Sequence, residues 1–199
     1  MKVGEARATY NVQLKSYNEQ KHTLAKQKQE LDEKIKHTEN GTSIYANEAA
    51  TLELQYNAVS DKYNEYHEYM EKLMEQWSSV HDMIAGEQQA DAMAEYARDM
   101  GKIMLIARRI MHGDKVPSKD EKKLMEFDEK LYQMAKSAGA LAKIRDRKKY
   151  DSLWDDEEKK EYEDAEEAAD SEEAFADGPE VVAVEDTLAA ATENFDVME

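Results

Sequence analysis

Two long runs of residues spaced alternately three and four apart, between residues 3 and 84, constrain the fold of this chain most. The first run combines apolar residues with three cations: Val3, Arg7, Tyr10, Leu14, Tyr17, Lys21, Leu24, Lys28, Leu31 and Ile35. The second run has no polar interruption: Tyr45, Ala49, Leu52, Tyr56, Val59, Tyr63, Tyr66, Met70, Leu73, Trp77, Val80 and Ile84. A spacing of this kind, sustained over this length, is typical of coiled-coil helices. We therefore predict two long helices that bury these seams.

A turn signal at residues 39–42 indicates that the two helices fold back on each other as an antiparallel hairpin. Gly41 can adopt the left-handed conformation that ends a helix, and Thr42 or Ser43 can cap the next helix. The numbers of opposed residues then sum to about 84, which places each seam cation opposite an aromatic ring. The pairs are Arg7 with Trp77, Lys21 with Tyr63 and Lys28 with Tyr56. A parallel homodimer would stack lysine on lysine, so like charges disfavour that alternative.

A second, shorter helical hairpin is predicted over residues 87–154, after the first hairpin at residues 1–85. Its first helix begins a new seam: Met93, Ala97, Met100, Met104, Ala107 and Met111. A proline-containing loop at residues 113–117 ends that helix, and a helix from Ser118 supplies the opposing seam. The opposing residues are Leu124, Phe127, Leu131, Met134, Ala138 and Leu141.

Ile103, Ile106 and Ile110 form an additional apolar stripe, about a quarter-turn from the methionine seam. One hairpin partner cannot cover both stripes. The isoleucines therefore either pack inside a three- or four-helix body or contact a protein partner, and we keep both interpretations. The partner-binding hypothesis assigns the contact to these three side chains.

The net charge of −18 comes entirely from the last quarter of the chain. Residues 151–199 hold 20 acidic and 2 basic side chains, whereas residues 1–150 hold 25 of each. Like charges at this density repel one another and resist compaction. We therefore predict that residues 155–199 form an acidic, largely disordered tail.

No motif in the sequence indicates catalysis or a bound cofactor. The chain contains no cysteine, which excludes thiolate chemistry, disulfides and cysteine-ligated metals. Its histidines do not form the paired Glu-x-x-His motifs of a di-iron bundle, and glycine-rich phosphate-binding loops are absent. We therefore expect a protein that is not an enzyme and that uses no metal ion or cofactor.

The hydropathy of the chain indicates a cytoplasmic location. No stretch approaches the ~20 apolar residues that span a bilayer. The first 15 residues contain no apolar run of the kind found in signal peptides. We therefore expect neither a membrane span nor secretion.

A basic cluster crowds the predicted end of the second hairpin: Lys143, Arg145, Arg147, Lys148 and Lys149. One interpretation is a patch that contacts the phosphates of a nucleic acid. The other is the favourable placement of cations at the carboxyl end of a helix, next to an acidic tail. We favour the second interpretation because the cluster is short and lacks interleaved aromatic residues.

The end of the tail is less charged, and four of its apolar residues can line one face of a short helix: Val181, Val184, Leu188 and Phe195. A segment of this kind can fold on a partner or dock on its own body. A solvated tail end is the alternative interpretation.

Taken as a sequence, the chain is therefore predicted to be all-α: a long antiparallel coiled-coil hairpin, a shorter helical hairpin and a disordered acidic tail. The leading functional hypothesis is a non-enzymatic adaptor or chaperone-like protein that presents an apolar helical stripe to a protein partner, such as a partner helix. Two alternatives stay open. One is a nucleic-acid-associated protein whose tail shields the basic cluster, and the other is a structural coiled-coil spacer that forms homodimers.

Overall fold

A computed structural model describes residues 1–142, 147–155 and 160–196, with the side chains of residues 194–196 left out. Its helices are α1 (Val3–His37), α2 (Gly41–Ile44), α3 (Ala46–Met111), α4 (Ser118–Phe127), α5 (Glu129–Leu141), α6 (Ala165–Ser171) and α7 (Val184–Asp196). The predicted all-α class is confirmed. The chain divides into two compact units, and the first joins residues 1–83 to residues 164–199. The second unit holds residues 84–163.

The first unit is built on the predicted antiparallel hairpin, formed by α1 and the first part of α3. Its buried core combines residues of the two seams with Ala6 and Tyr69, which lie outside them. The core residues are Val3, Ala6, Tyr10, Tyr17, Leu24, Val59, Tyr66, Tyr69, Met70 and Leu73. In this arrangement Tyr17 lies opposite Tyr66, and their ring centroids are 5.3 Å apart. Burial of these apolar surfaces supplies the main driving force for the hairpin.

All three predicted cation–aromatic pairs are present. The Arg7 guanidinium lies 4.5 Å from the centroid of the Trp77 ring. The ammonium groups of Lys21 and Lys28 lie 5.1 Å and 4.7 Å from the rings of Tyr63 and Tyr56. The register of the hairpin is therefore the predicted one from Arg7 to Lys28.

The turn between α1 and α2 uses a different residue from the one expected. Asn40 takes the left-handed conformation, with φ of 57°, and Gly41 begins α2. Gly41 is required for another reason: a Cβ at this position would lie 2.4 Å from the carbonyl oxygen of Ile35. The absent side chain allows the close backbone approach that the turn needs.

The core of the second unit is built around the isoleucine stripe of α3. Its buried residues are Ile103, Ile106, Ala107, Ile110, Leu124, Ala135 and Trp154. A fully buried carboxylate, Asp120, accepts hydrogen bonds from the hydroxyl of Ser152 (2.6 Å) and the backbone N–H of Leu153 (3.3 Å). These bonds hold the segment that carries Trp154 against α4, because a buried carboxylate needs such partners.

Two features of the second unit differ from the prediction. First, α3 continues through Gly86 without a break, although the seam changes phase there. Second, the helix expected from Ser118 to Leu141 is interrupted at Asp128, whose carboxylate accepts a hydrogen bond from the backbone N–H of Leu131 at 3.0 Å. Asp128 thereby caps the amino end of α5, so two shorter helices replace one.

The acidic tail also differs from the disordered state that its charge predicts. Residues 160–196 are described, and α6 and α7 belong to the first unit. Ala174, Val184 and Leu188 pack against the core of the hairpin. The physical reason is that the hairpin provides hydrogen-bond donors for the backbone of the tail and an apolar surface for its side chains. A prediction from charge alone does not include these contacts.

Candidate functional site

Four buried tyrosines form a row along one side of the hairpin, which we call the tyrosine groove. Tyr10 and Tyr17 lie seven residues apart on α1, and Tyr66 and Tyr69 lie three apart on α3, so each pair shares one face of its helix. The ring centroids of Tyr10 lie 5.6 Å from Tyr66 and 4.8 Å from Tyr69. These four rings contact one another through their edges and faces, which fixes the directions of their hydroxyl groups.

The groove is occupied by residues 172–183, the non-helical segment between α6 and α7, which we call the strap. Each tyrosine hydroxyl donates to a different backbone carbonyl of the strap. The bonds run from Tyr69 to Ala176 (2.9 Å), from Tyr10 to Pro179 (2.6 Å), from Tyr66 to Glu180 (2.9 Å) and from Tyr17 to Val182 (3.0 Å). The Tyr66 hydroxyl also accepts from the backbone N–H of Val182 at 3.0 Å. The hairpin thus binds the backbone of the strap.

Side chains of the hairpin fasten the amino end of the strap as well. Asp170, in α6, accepts from the Arg7 guanidinium at 2.6 Å and from the Trp77 indole N–H at 2.8 Å. The amide of Gln76 donates to the carbonyl of Glu173 (2.7 Å) and accepts from the N–H of Phe175 (3.0 Å). One carboxylate and a short stretch of backbone are therefore recognised together.

Gly178 is the point of closest approach between the strap and the groove. A Cβ at this position would lie 2.0 Å from the hydroxyl oxygen of Tyr10 and 2.6 Å from its Cζ atom. Tyr10 is buried between other rings and cannot move aside without disturbing them. A residue with a side chain is thus excluded where the chain passes Tyr10.

Net charge opposes this docking. Residues 164–199 carry 13 acidic side chains and no basic one, and residues 1–83 carry 14 acidic and 10 basic side chains. Both partners are therefore negative, and like charges repel. The contacts that offset this repulsion are the hydrogen bonds to the strap backbone, the Arg7–Asp170 pair and the buried apolar side chains.

Burial raises the pKa of Tyr10, Tyr17 and Tyr69 above the ordinary value of 10.0. The negative charge of Asp177 adds to the effect of burial on the pKa of Tyr69. At Tyr17 the hydrogen bond with Thr187 acts in the opposite direction without cancelling it. These hydroxyls consequently stay protonated, and able to donate, at neutral pH.

We expect the strap to leave the groove when the pH rises above about 10. Because the folded pKa values lie above those of the unfolded chain, their stabilising contribution is complete below the unfolded value and is lost as the pH passes the folded values. An ionised tyrosine cannot donate to a carbonyl and adds negative charge beside an acidic strap. Tyrosinate absorbance and near-ultraviolet circular dichroism should change together; dichroism that stays constant while these tyrosines ionise would contradict this expectation.

The structure places the residues that the sequence analysis singled out in different surroundings. Ile103, Ile106 and Ile110 are buried in the core of the second unit. The hypothesis that they contact a protein partner is therefore replaced by the structural interpretation. Val184 and Leu188 pack against the hairpin core, whereas Val181 is half exposed.

The basic cluster is only partly described. Arg147, Lys148 and Lys149 are exposed, and the backbone of Lys148 bonds to the loop before α4, where its carbonyl accepts from the N–H of Lys115 at 3.0 Å. Lys143 and Arg145 lie outside the described residues, as does the side chain of Phe195. A contact with nucleic acid stays a prediction.

Sequence reasoning assigned Tyr10, Tyr17 and Tyr66 to the coiled-coil seam and missed the groove they form. One signal was available: a buried tyrosine needs a partner for its hydroxyl, which a leucine does not. Several tyrosines within one seam therefore imply a row of acceptors outside the hairpin. The partner could not be identified from the sequence, because backbone carbonyls have no sequence signature.

Comparisons of the chain with protein-family models, with curated proteins and with solved structures found no match. Among the described residues, no group of three or more histidine or acidic side chains is arranged to hold a metal ion. Over the same residues, no helix is both long enough and apolar enough to cross a membrane. Function is therefore inferred from the groove.

Proposed function

We propose that this chain is a non-enzymatic, chaperone-like adaptor that holds an extended segment of a protein partner in the tyrosine groove. Its own strap occupies the groove until such a segment replaces it. The observation that supports this proposal is the row of four hydroxyls that donate to four backbone carbonyls. Because every residue has a carbonyl, such a groove recognises an extended conformation and tolerates many sequences.

Two contacts along the groove define the chemistry of the partner segment. One carboxylate is needed where Asp170 meets Arg7 and Trp77. A glycine is needed where the segment passes Tyr10. Beyond these two positions, acidic residues weaken binding, since the hairpin is itself negative. The preferred partner is therefore an extended segment less acidic than the strap.

The proposal is tested with a change that loosens the strap in the full-length protein. Gly178→Ala introduces a Cβ against the buried ring of Tyr10, which costs about 1–3 kcal/mol when the surroundings cannot relax. A fluorescent peptide with the sequence of residues 168–193 should then bind the variant at least about fivefold more tightly than it binds the wild type, by anisotropy. Equal binding by the two proteins would contradict the proposal.

Gly86→Ala provides the matched control. It is the same substitution, but no neighbouring atom of the described residues lies within 4 Å of a Cβ at this position. This variant should bind the peptide as weakly as the wild type does. The comparison separates release of the strap from any general effect of replacing a glycine.

A second peptide tests the charge argument. In it, Glu172, Glu173 and Glu180, which are exposed, are replaced by glutamine, and the carboxylate of Asp170 is kept. It should bind Gly178→Ala more tightly than the original peptide, and the difference should shrink as salt is added, because salt screens repulsion between exposed charges. Weaker binding of the glutamine peptide would show that the groove selects acidic segments instead.

A further inference from the structure

A backbone bridge in the second unit brings a basic stretch of the chain next to the loop that follows α3. Lys115 of this loop pairs with Lys149, and its N–H donates to the carbonyl of Lys148 at 3.0 Å. Beside the bridge, the Arg109 guanidinium lies 3.9 Å from the centroid of the Tyr150 ring. The cations that meet here are Arg109, Lys115, Arg147, Lys148 and Lys149, which we call the basic edge.

The positive charge of the basic edge is not balanced by neighbouring carboxylates. Residues 108–115 and 147–151 hold six basic side chains and two acidic ones. One of these acids, Asp114, accepts a hydrogen bond from the backbone N–H of Lys148 at 3.2 Å. Among the described residues of the second unit, the cations that pair with carboxylates all lie elsewhere. The three lysines and Arg147 are exposed, so the unbalanced charge faces solvent.

The place of the basic edge in the fold argues against a mere helix-end effect. Arg109 does lie in the last turn of α3, where a cation is favourable. However, α5 ends at Leu141, and Arg147 follows six residues later. The field of a helix dipole falls off within its last turn, so it does not account for residues 147–149.

The acidic residues that follow the basic edge in sequence contact a distant part of α3. The carbonyl of Glu163 accepts from the side-chain amide of Gln88, and Lys160 pairs with Asp91 at 2.6 Å. Arg109 lies 18 residues after Asp91, which is about 27 Å along the helix. Charges on the protein surface are largely screened beyond about 8 Å at physiological ionic strength. These carboxylates therefore do not neutralise the basic edge.

We propose that the basic edge binds the phosphate backbone of double-stranded nucleic acid without selecting a sequence. The proposal goes beyond the tyrosine groove and uses none of its residues. Lysine and arginine side chains neutralise phosphates and release the counterions that are condensed on a duplex. Contacts with phosphates carry no information about the bases. Binding of single strands relies in addition on aromatic rings that stack on bases. The ring of Tyr150 already stacks with Arg109, which favours a duplex.

The salt dependence of binding to a fluorescent 20-base-pair DNA duplex tests the proposal in the full chain. Contacts with three to five phosphates predict that log K falls against log salt concentration with a slope of about −3 to −4.5. A second duplex of unrelated sequence should bind with a dissociation constant within about threefold of the first, because phosphates are common to both. No binding at low salt, or tighter binding of a single strand of the same length, would overturn the proposal.

A pair of double variants assigns the binding to the basic edge. Lys115→Gln with Lys149→Gln should make the salt slope shallower by about two and weaken binding at least about tenfold at 0.1 M salt. Lys122→Gln with Lys130→Gln is the matched control, because it removes the same charge from exposed positions on α4 and α5. Equal effects of the two double variants would show general attraction to the chain and would overturn the proposal.

Vesicles of phosphatidylserine and phosphatidylcholine provide the comparison with a second phosphate-bearing surface. The wild type should bind the duplex more tightly than these vesicles at the same salt concentration. Tighter binding of the vesicles, lost in Lys115→Gln with Lys149→Gln, would assign the basic edge to a lipid surface and overturn the proposal.

Discussion

Replacing Ile106 with glutamate is expected to unfold the second unit. Ile106 is fully buried, and its cluster includes Ile103, Ile110 and Leu124. A carboxylate introduced there is surrounded by the apolar side chains of this cluster. An uncompensated charge of this kind costs more than about 4 kcal/mol, which is much of the stability of a small domain. Far-ultraviolet circular dichroism during a denaturant titration should show the loss of helicity at low denaturant.

Met104→Glu is the control for that substitution. Met104 lies on the same helix two residues earlier and is half exposed, so a carboxylate there stays in water. Its unfolding transition should lie within about 0.5 kcal/mol of the wild type. If Ile106→Glu instead unfolded like the control and lost only the binding of a partner, the isoleucine stripe would be an interface and not a core.

This pair of substitutions also shows where sequence reasoning failed in the second unit. The methionine seam and the isoleucine stripe of α3 lie a quarter-turn apart and have the same helical spacing. Periodicity alone therefore cannot tell which of the two is buried. In the structure the isoleucine stripe forms the core. Asp128 starts a new helix, and Gly139 lets that helix, α5, approach α3. A Cβ on Gly139 would lie 2.2 Å from the carbonyl oxygen of Ile110. Such close approaches become visible only when both helices are placed.

The first hairpin was predictable in detail because one short turn sets the register of two long seams. Once the turn lies near residue 40, each residue of α1 has one opposite position on α3. The placement of Arg7 over Trp77 and of Lys28 over Tyr56 follows from that constraint alone. A local difference at the turn does not change the register of so long a seam. The left-handed residue is Asn40 and not Gly41, and the predicted pairs still form.

The docking of the tail could not be predicted, because the interactions that hold the tail do not depend on its amino-acid composition. Its charge density favours an expanded chain. Its docking depends on backbone carbonyls, on one glycine and on a hairpin surface more than a hundred residues away in sequence. The apolar residues Val184 and Leu188 indicated that docking was possible. The choice between docking and solvation required the geometry of Tyr10 and its neighbours.

Replacing Tyr66 is expected to separate the packing role of the groove from its binding role. Tyr66→Phe keeps the ring between Tyr10 and Tyr17 but removes the hydroxyl that bonds to Glu180 and Val182. Leaving those two backbone groups without a partner should cost about 1–3 kcal/mol. Tyr66→Ala also removes a fully buried ring and should cost about 3–5 kcal/mol. Both values are measured as free energies of unfolding in denaturant.

Tyr96 supplies matched controls, because it lies on the same helix and is 61% exposed. Tyr96→Phe and Tyr96→Ala should each change the free energy of unfolding by less than about 0.5 kcal/mol. The fluorescent peptide of residues 168–193 should also bind Tyr66→Phe more weakly than it binds Gly178→Ala, because the first variant has lost a donor that the second keeps. If Tyr66→Phe were as stable as Tyr96→Phe, the hydroxyl would not hold the strap, and the groove would be a packing seam whose contacts with the strap contribute little.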